Sequence, residues 1–290
     1  MKIIKYFIQS IIIYFFFLLI KIIGLKLGRE VFSVIFKKIG PLIKTNNISN
    51  KNLKEILNIG IDERKKIISS MWSNYGMVFA EYIYLYKFRK NDFKDKYIRI
   101  KGQKILDEII RNNKQVIFVS GHFGNFELMS MELDRQNIKL ATIYRPLNNI
   151  FLNPFMEYLR EKYICKNQIQ KGFRGIRSII HYMQSNYSIA LMIDQRVSEG
   201  KKIPFFGKEA LTTTLPAQLA LRYKCDIVPI YISRHKHQYF DLEIYPPISN
   251  VGKEENEKNK NQITGDLNVI LENMILRDPG QWIWTHNRWK

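Results

Sequence analysis

An imidazole and a carboxylate stand five positions apart in the stretch QVIFVSGHFGNFELM (115–129), as His122 and Glu127. A histidine that donates one ring N–H to a carboxylate keeps the other nitrogen free to take a proton. That is the working arrangement of a general base, generally worth roughly 10²–10⁴ in rate. On one unbroken helix, at roughly 100° per residue, the two side chains would point about 140° apart. They meet only where the chain folds back between them. Gly121 and Gly124 permit a tight turn with exposed backbone, and Asn125 is placed to cap a following helix. Taken alone, the pair reads more often as a loop histidine with one structural hydrogen bond.

What the sequence lacks narrows the chemistry. Ser120 precedes the loop, but no G-x-S-x-G frames a serine nucleophile. There is no H-E-x-x-H, and His235 and His237 have no third ligand nearby, so no metal is expected. Glycine-rich nucleotide-phosphate loops are absent as well, and no cofactor is called for. A base without a protein nucleophile suits one reaction above others. It deprotonates a substrate hydroxyl, which then attacks an activated acyl group directly.

The elements that must position this loop have the texture of an α/β fold. Apolar, β-branched runs occur at QVIFVS, KLATIY (139–144), SIALMI (188–193), CDIVPIYIS (225–233) and FDLEIY (240–245). Helical segments separate several of them: NFELMSMELDRQ, NPFMEYLREKY, GIRSIIHYMQ and TLPAQLALRYK. That alternation predicts a central, largely parallel sheet flanked by helices, with His122 at the carboxyl end of a strand, where open α/β folds bind ligands. Ahead of it, a long helix is expected after Asp62, and the Asn-rich stretch 45–54 reads as a loop. A last helix is expected from about Thr264 to Arg277.

The front of the chain has a different character. Residues 7–25, FIQSIIIYFFFLLIKIIGL, contain ten uncharged residues from Ile11 to Ile20, which is borderline for a span of roughly 20 apolar residues. No small-x-small cleavage site follows, so an uncleaved anchor is expected, either spanning or lying in the interface. Residues 1–30 form this anchor, and 31–290 form a single α/β domain whose first part, 31–100, is helical. Lys21, Lys26, Arg29, Lys37, Lys38 and Lys44 outnumber Lys2 and Lys5, a bias that keeps the body cytoplasmic on anionic lipid. The formal net charge is +20, which favours acidic partners. Coding bias in an Ile- and Asn-rich chain explains the lysine excess as well. No RNA-binding motif accompanies the charge, so nucleic acid is not expected, and a basic membrane or RNA-binding adaptor is the remote non-enzyme alternative. A hydrophobic share of 46% with 25% charged residues excludes a disordered chain, a fibre or a multi-span bundle. Cys165 and Cys225 match no metal or redox spacing.

GHFGNFE resembles the H-x4-D/E motif of membrane glycerolipid-type acyltransferases, and more specifically that of the late lauroyl/myristoyl acyltransferases of lipid A biosynthesis. YRP (144–146), KGFRG (171–175), IDQR (193–196), PFFG (204–207) with the following A-x-T-T, and W-x-W-x-H-x-R-W (282–289) follow in the family's order. Together they cover most of the chain from about 115 to 290. Gly rather than Asn precedes His122 and no F-P-E-G follows, which sets the chain apart from the phosphatidic-acid-forming branch. The resemblance implies a glycerolipid-acyltransferase-like fold and acyl transfer from a carrier thioester to a hydroxyl of a Kdo-lipid A-type precursor. The implied donor is acyl carrier protein or acyl-CoA, and the implied place is the cytoplasmic face of the bacterial inner membrane. Another glycolipid or a lysophospholipid remains the alternative acceptor.

In this scheme His122 is the base and Glu127 steadies the imidazolium. Arg145 meets the oxyanion or a substrate phosphate, and backbone N–H groups of Gly121 and Gly124 serve the same end. Arg174 and Arg177 suit phosphates, while Asp194 and Gln195, at a strand end, position His122 or the acceptor. Phe205, Phe206 and Gly207 shape a wall or loop, Thr213 and Thr214 touch substrate or cap a helix, and Trp282, Trp284 and Trp289 pack or anchor.

Overall fold

The computed structural model describes all residues except Met1, Lys44, His237, Gln238 and Val251, and leaves the side chains of Thr45, Lys94, Phe173 and Arg174 undescribed. The chain opens as helices: α1 (Lys2–Ile23), α2 (Leu25–Ile39), α3 (Thr45–Leu57), α4 (Ile61–Tyr82) and the short α5 (Leu85–Phe88) and α6 (Asn91–Tyr97). Helix α1 is long and apolar enough to cross a membrane, with a mean hydropathy of 2.2 and most of its surface exposed. It stops at Gly24, whose φ of 87° lies where an L side chain is strained. The amphipathic α2 then lays its apolar stripe on α4. The two backbones touch there: a Cβ on Gly76 would stand 2.1 Å from the Phe32 carbonyl oxygen.

The α/β body follows as β1 (Ile98–Lys101), α7 (Gln103–Arg111), β2 (Val116–Ser120), α8 (Glu127–Arg135), β3 (Leu140–Tyr144), α9 (Asn153–Tyr163), β4 (Gln168–Gln170), α10 (Phe173–Gln184) and β5 (Ser188–Met192). A hairpin, β6 (Lys201–Phe205) and β7 (Lys208–Thr212), precedes α11 (Leu215–Tyr223), β8 (Asp226–His235), β9 (Tyr239–Ile244) and α12 (Glu257–Arg277). The main sheet runs β1-β9-β8-β2-β5-β3-β4, and every neighbouring pair is parallel except β8 with β9. This is the largely parallel, helix-flanked sheet that the alternation predicts. Strand β2 is buried at every position, as expected where helices cover both faces.

Some local expectations change. The stretch 45–54 is helical, within α3; it reads as a loop because its buried face is Ser49, Asn52 and Leu53 rather than an apolar stripe. Asn52 Nδ2 donates to the carbonyls of Trp284 and His286, tying α3 to the C-terminal tail. Phe206 and Gly207 form the two-residue turn of the β6–β7 hairpin with φ of 53° and 69°, the signature of a primed turn. Phe205 is fully buried and stacks on Trp289. The last helix begins earlier, at Glu257, capped by Asn256. His237 lies outside the described residues.

Candidate active site

Strand register builds the site. Ser120, the last residue of β2, pairs with Met192, the last of β5, and Ile193 N–H extends the ladder to the Ser120 carbonyl at 2.9 Å. Two residues beyond each partner stand His122 and Asp194. The Asp194 Oδ1 accepts from His122 Nδ1 at 2.8 Å, and Oδ2 accepts from the His122 backbone N–H at 3.0 Å and from the Trp282 indole N–H at 2.8 Å. Asp194 is almost fully buried. Burial works against its charge, yet the His122 ring and these hydrogen bonds hold its carboxyl down to about 2. For His122, burial disfavours the imidazolium, but the Asp194 charge and hydrogen bond outweigh it, so the pKa lies above the ordinary 6.5. An ionised Asp194 accepts a hydrogen bond from Nδ1–H and so fixes that proton on Nδ1, which leaves Nε2 as the nitrogen able to accept one.

Glu127 is not the group on the ring. It sits in the first turn of α8, where its Oε1 accepts from Tyr82 Oη and from Arg160 Nε and Nη2 at 3.0 and 2.7 Å. The loop folds back at Gly124, φ 50°, and stacks the Phe126 ring edge-on to the imidazole at 4.6 Å. Glu127 still favours the imidazolium through space, as the second carboxylate acting on it. Asn125 does not cap α8; its Nδ2 donates to Glu81 at 2.9 Å. The Gly124 N–H is taken by the Gln281 carbonyl at 3.3 Å, so it is no donor for substrate, and Gly121 is buried.

His122, Glu127 and Arg160 line a cleft of about 1020 Å³, with Tyr144, Arg145 and Gln195 also on its wall. Apolar residues of β3, β5 and α10 line its depth, among them Ile143, Ala190 and Ile179. Thr213 and Thr214 face the cleft too, and Thr213 Oγ1 accepts the Leu215 N–H at 3.3 Å. Arg177 is exposed and is not among the cleft-lining residues; Arg174 lies on α10 with its side chain undescribed. Trp284 is buried as packing, and Trp282 packs while also orienting Asp194.

Several cleft groups escaped the sequence reading. Arg160, one turn from the end of α9, holds Glu127 and keeps a buried Nη1 without a hydrogen-bond partner. Lys171 lies beside Arg145, and lost solvation together with that neighbour lowers its pKa. His286 Nδ1 accepts the Arg196 backbone N–H at 3.4 Å, and burial lowers its pKa, so the ring is neutral with its proton on Nε2. Only its place in the W-x-W-x-H-x-R-W tail marks it in the sequence.

The family described as bacterial lipid A biosynthesis acyltransferase matches residues 1–290. A lipid A biosynthesis palmitoleoyltransferase of Escherichia coli (strain K12) is 26% identical over 259 residues, covering 86% of this chain and 80% of the relative. A lipid A biosynthesis acyltransferase of Shigella flexneri is similar to the same extent. With the match running from end to end, the chain belongs to the bacterial lipid A biosynthesis acyltransferases, enzymes of acyl transfer.

Proposed function

We propose that the chain transfers a fatty acyl group from an acyl carrier protein thioester directly to a hydroxyl of a Kdo-lipid A-type precursor, without an acyl-enzyme. His122 Nε2 takes the hydroxyl proton as the oxygen attacks the thioester carbon. A tetrahedral oxyanion forms, the carbon–sulfur bond breaks, and the imidazolium returns the proton to the leaving thiolate. Asp194 holds the ring and stabilises its charged form, and Glu127 adds to that field while fixing Arg160. Arg160, Arg145 and the Nε2–H of His286 are the donors proposed for the oxyanion and for substrate phosphates. Each donor aimed at an oxyanion is typically worth about 2.7–4 kcal/mol.

The observation that carries this reading is the 2.8 Å His122–Asp194 hydrogen bond, which leaves one imidazole nitrogen for the cleft. The +20 charge suits an acidic carrier protein and a phosphorylated glycolipid alike, because opposite charge speeds encounter. The reaction belongs at the inner membrane, with the body on the cytoplasmic face and α1 as its attachment. Mass spectrometry tests the proposal, with purified protein, precursor glycolipid and matched acyl carrier protein and acyl-CoA donors. The expected result is one acyl mass added to the glycolipid, faster with the carrier protein and lost in His122→Ala. An acyl group trapped covalently on the enzyme, or acylation of a lysophospholipid alone, would overturn it.

A further inference from the structure

Helix α1 is docked along its length. Ser10 Oγ donates to Asn149 Oδ1 at 2.9 Å, and Asn149 Nδ2 donates back to the Tyr6 carbonyl at 2.9 Å. Tyr14 Oη donates to the Phe151 carbonyl, and Tyr84 Oη to that of Ile20. Phe17 stacks on Phe79 of α4 at 4.9 Å between ring centres. From Tyr6 to Ile20 this is ~21 Å of helix axis laid against the body, at 1.5 Å per residue. A bilayer core is about 30 Å thick, so a crossing α1 would carry most of that contact into hydrocarbon. The contact surface includes the segment that leads into α9, whose exposed face bears Glu161 and Lys162. Charged side chains and loop carbonyls are not placed in lipid without compensation.

The opposite face of α1 is exposed and apolar, including Ile8, Ile11, Phe15 and Leu18. The exposed apolar side chains of Ile150, Phe151 and Leu147 come from the same segment that docks α1, and Leu147 also lines the catalytic cleft. Exposed Lys2, Lys5, Lys21 and Lys26 flank the helix at both ends. In a crossing helix these pairs would lie on opposite sides of the membrane. In a helix lying flat, all four reach one anionic surface.

We infer that α1 does not cross the bilayer but lies in the headgroup boundary of one anionic leaflet. Leu147, Ile150 and Phe151 enter the same leaflet, so the cleft opens at its edge and a lipid acceptor reaches His122 sideways from the membrane. This rests on reading α1 as the membrane attachment. The test uses full-length Lys5→Cys and Lys104→Cys variants in membrane vesicles from expressing cells, labelled with a membrane-impermeant maleimide. Cys165 and Cys225 are buried, and Lys104 is an exposed reporter on the body. Labelling of both variants from the same side, before detergent is added, is the expected result. Labelling of Lys5→Cys only from the side opposite to Lys104→Cys would overturn the flat placement while leaving the attachment intact. Recovery of the protein in the soluble fraction would overturn both.

The cleft-edge part has its own readout. In phosphatidylethanolamine–phosphatidylglycerol vesicles containing brominated lipid, the fluorescence that Ile150→Trp adds over wild type should be quenched. Unquenched fluorescence would overturn entry of this loop into lipid. If it came with a stable dimer in light scattering, a second copy of the chain would cover the face instead.

Discussion

Three residues apart on one loop, His122 and Asn125 each enter a buried ionic cluster, and the two clusters are finished differently. Around Glu81, fully buried on α4, both carboxylate oxygens are filled: Arg29 Nε donates at 2.6 Å, Arg234 donates through both terminal nitrogens, and Asn125 donates at 2.9 Å. Arg234 Nε reaches Asn74, whose Nδ2 donates to the Gly124 carbonyl at 2.9 Å. Burial alone would raise the Glu81 pKa, but Arg234 and then Arg29 outweigh it and the carboxyl stays ionised. Around Asp194 the carboxylate is filled as well, yet its partner His122 keeps one nitrogen uncommitted beside the cleft. One cluster has no member on the cleft and shapes the loop; the other ends in a group able to move a proton. Buried charge is therefore no guide to catalysis by itself, and what separates the two is an uncommitted nitrogen beside the cleft.

Substitutions break this comparison most sharply at its centres. Glu81→Ala leaves two buried guanidiniums without their counter-charge, so stability should fall by about 3–5 kcal/mol and activity should go with the fold. Thermal melting and turnover would be measured together. His122→Ala should instead lower turnover by roughly 10²–10⁴ with the fold retained and melting falling less than in Glu81→Ala, because Asp194 keeps its bonds from the residue-122 backbone N–H and Trp282. If the two variants behaved alike, the division into a shaping and a reacting cluster would fail. Next in size, Asp194→Asn should lower kcat strongly while binding of the acyl donor holds, because the ring loses its orienting charge but the cleft wall remains. The smallest effect is expected from Trp282→Phe. It keeps a ring in the packing but removes an N–H from a carboxylate, a charged hydrogen bond worth about 1.5–3 kcal/mol. A modest fall in kcat with an unchanged KM would place Trp282 behind Asp194; a loss of folding would make it packing alone.

The strands that carry the site are legible because β2, β3, β5 and β8 are buried on both faces and so read as continuous apolar runs. Strands β1 and β4 span four and three residues, too few to show a pattern. Helix α3 is hidden because its buried face is partly Ser49 and Asn52. The loop and its histidine are legible from Gly121, His122 and Gly124, and Asp194 stands out as a strand-end carboxylate. Their pairing is half legible: a strand end offers Asp194 to His122 or to the acceptor, and only the β2–β5 register, joining residues 72 apart, decides between them. Glu127 is the nearer acid in sequence, but the fold-back turns it toward Arg160 and Tyr82. Arg160 looks like any cation near a helix C-terminus, and only the packing of α9 against α8 and α4 residues gives it a role.

The pH dependence of kcat/KM, measured side by side for wild type and Asp194→Asn, tests the base most directly. The base works unprotonated, so the rate falls as pH drops through the His122 pKa. Asp194 holds that pKa above the ordinary value, and without it burial is the main remaining influence and lowers it. The account predicts an acid limb above pH 6.5 in wild type that moves to lower pH in Asp194→Asn, on a slower reaction. A limb that stays in place, or none at all in wild type, would contradict His122 as the proton acceptor held by Asp194.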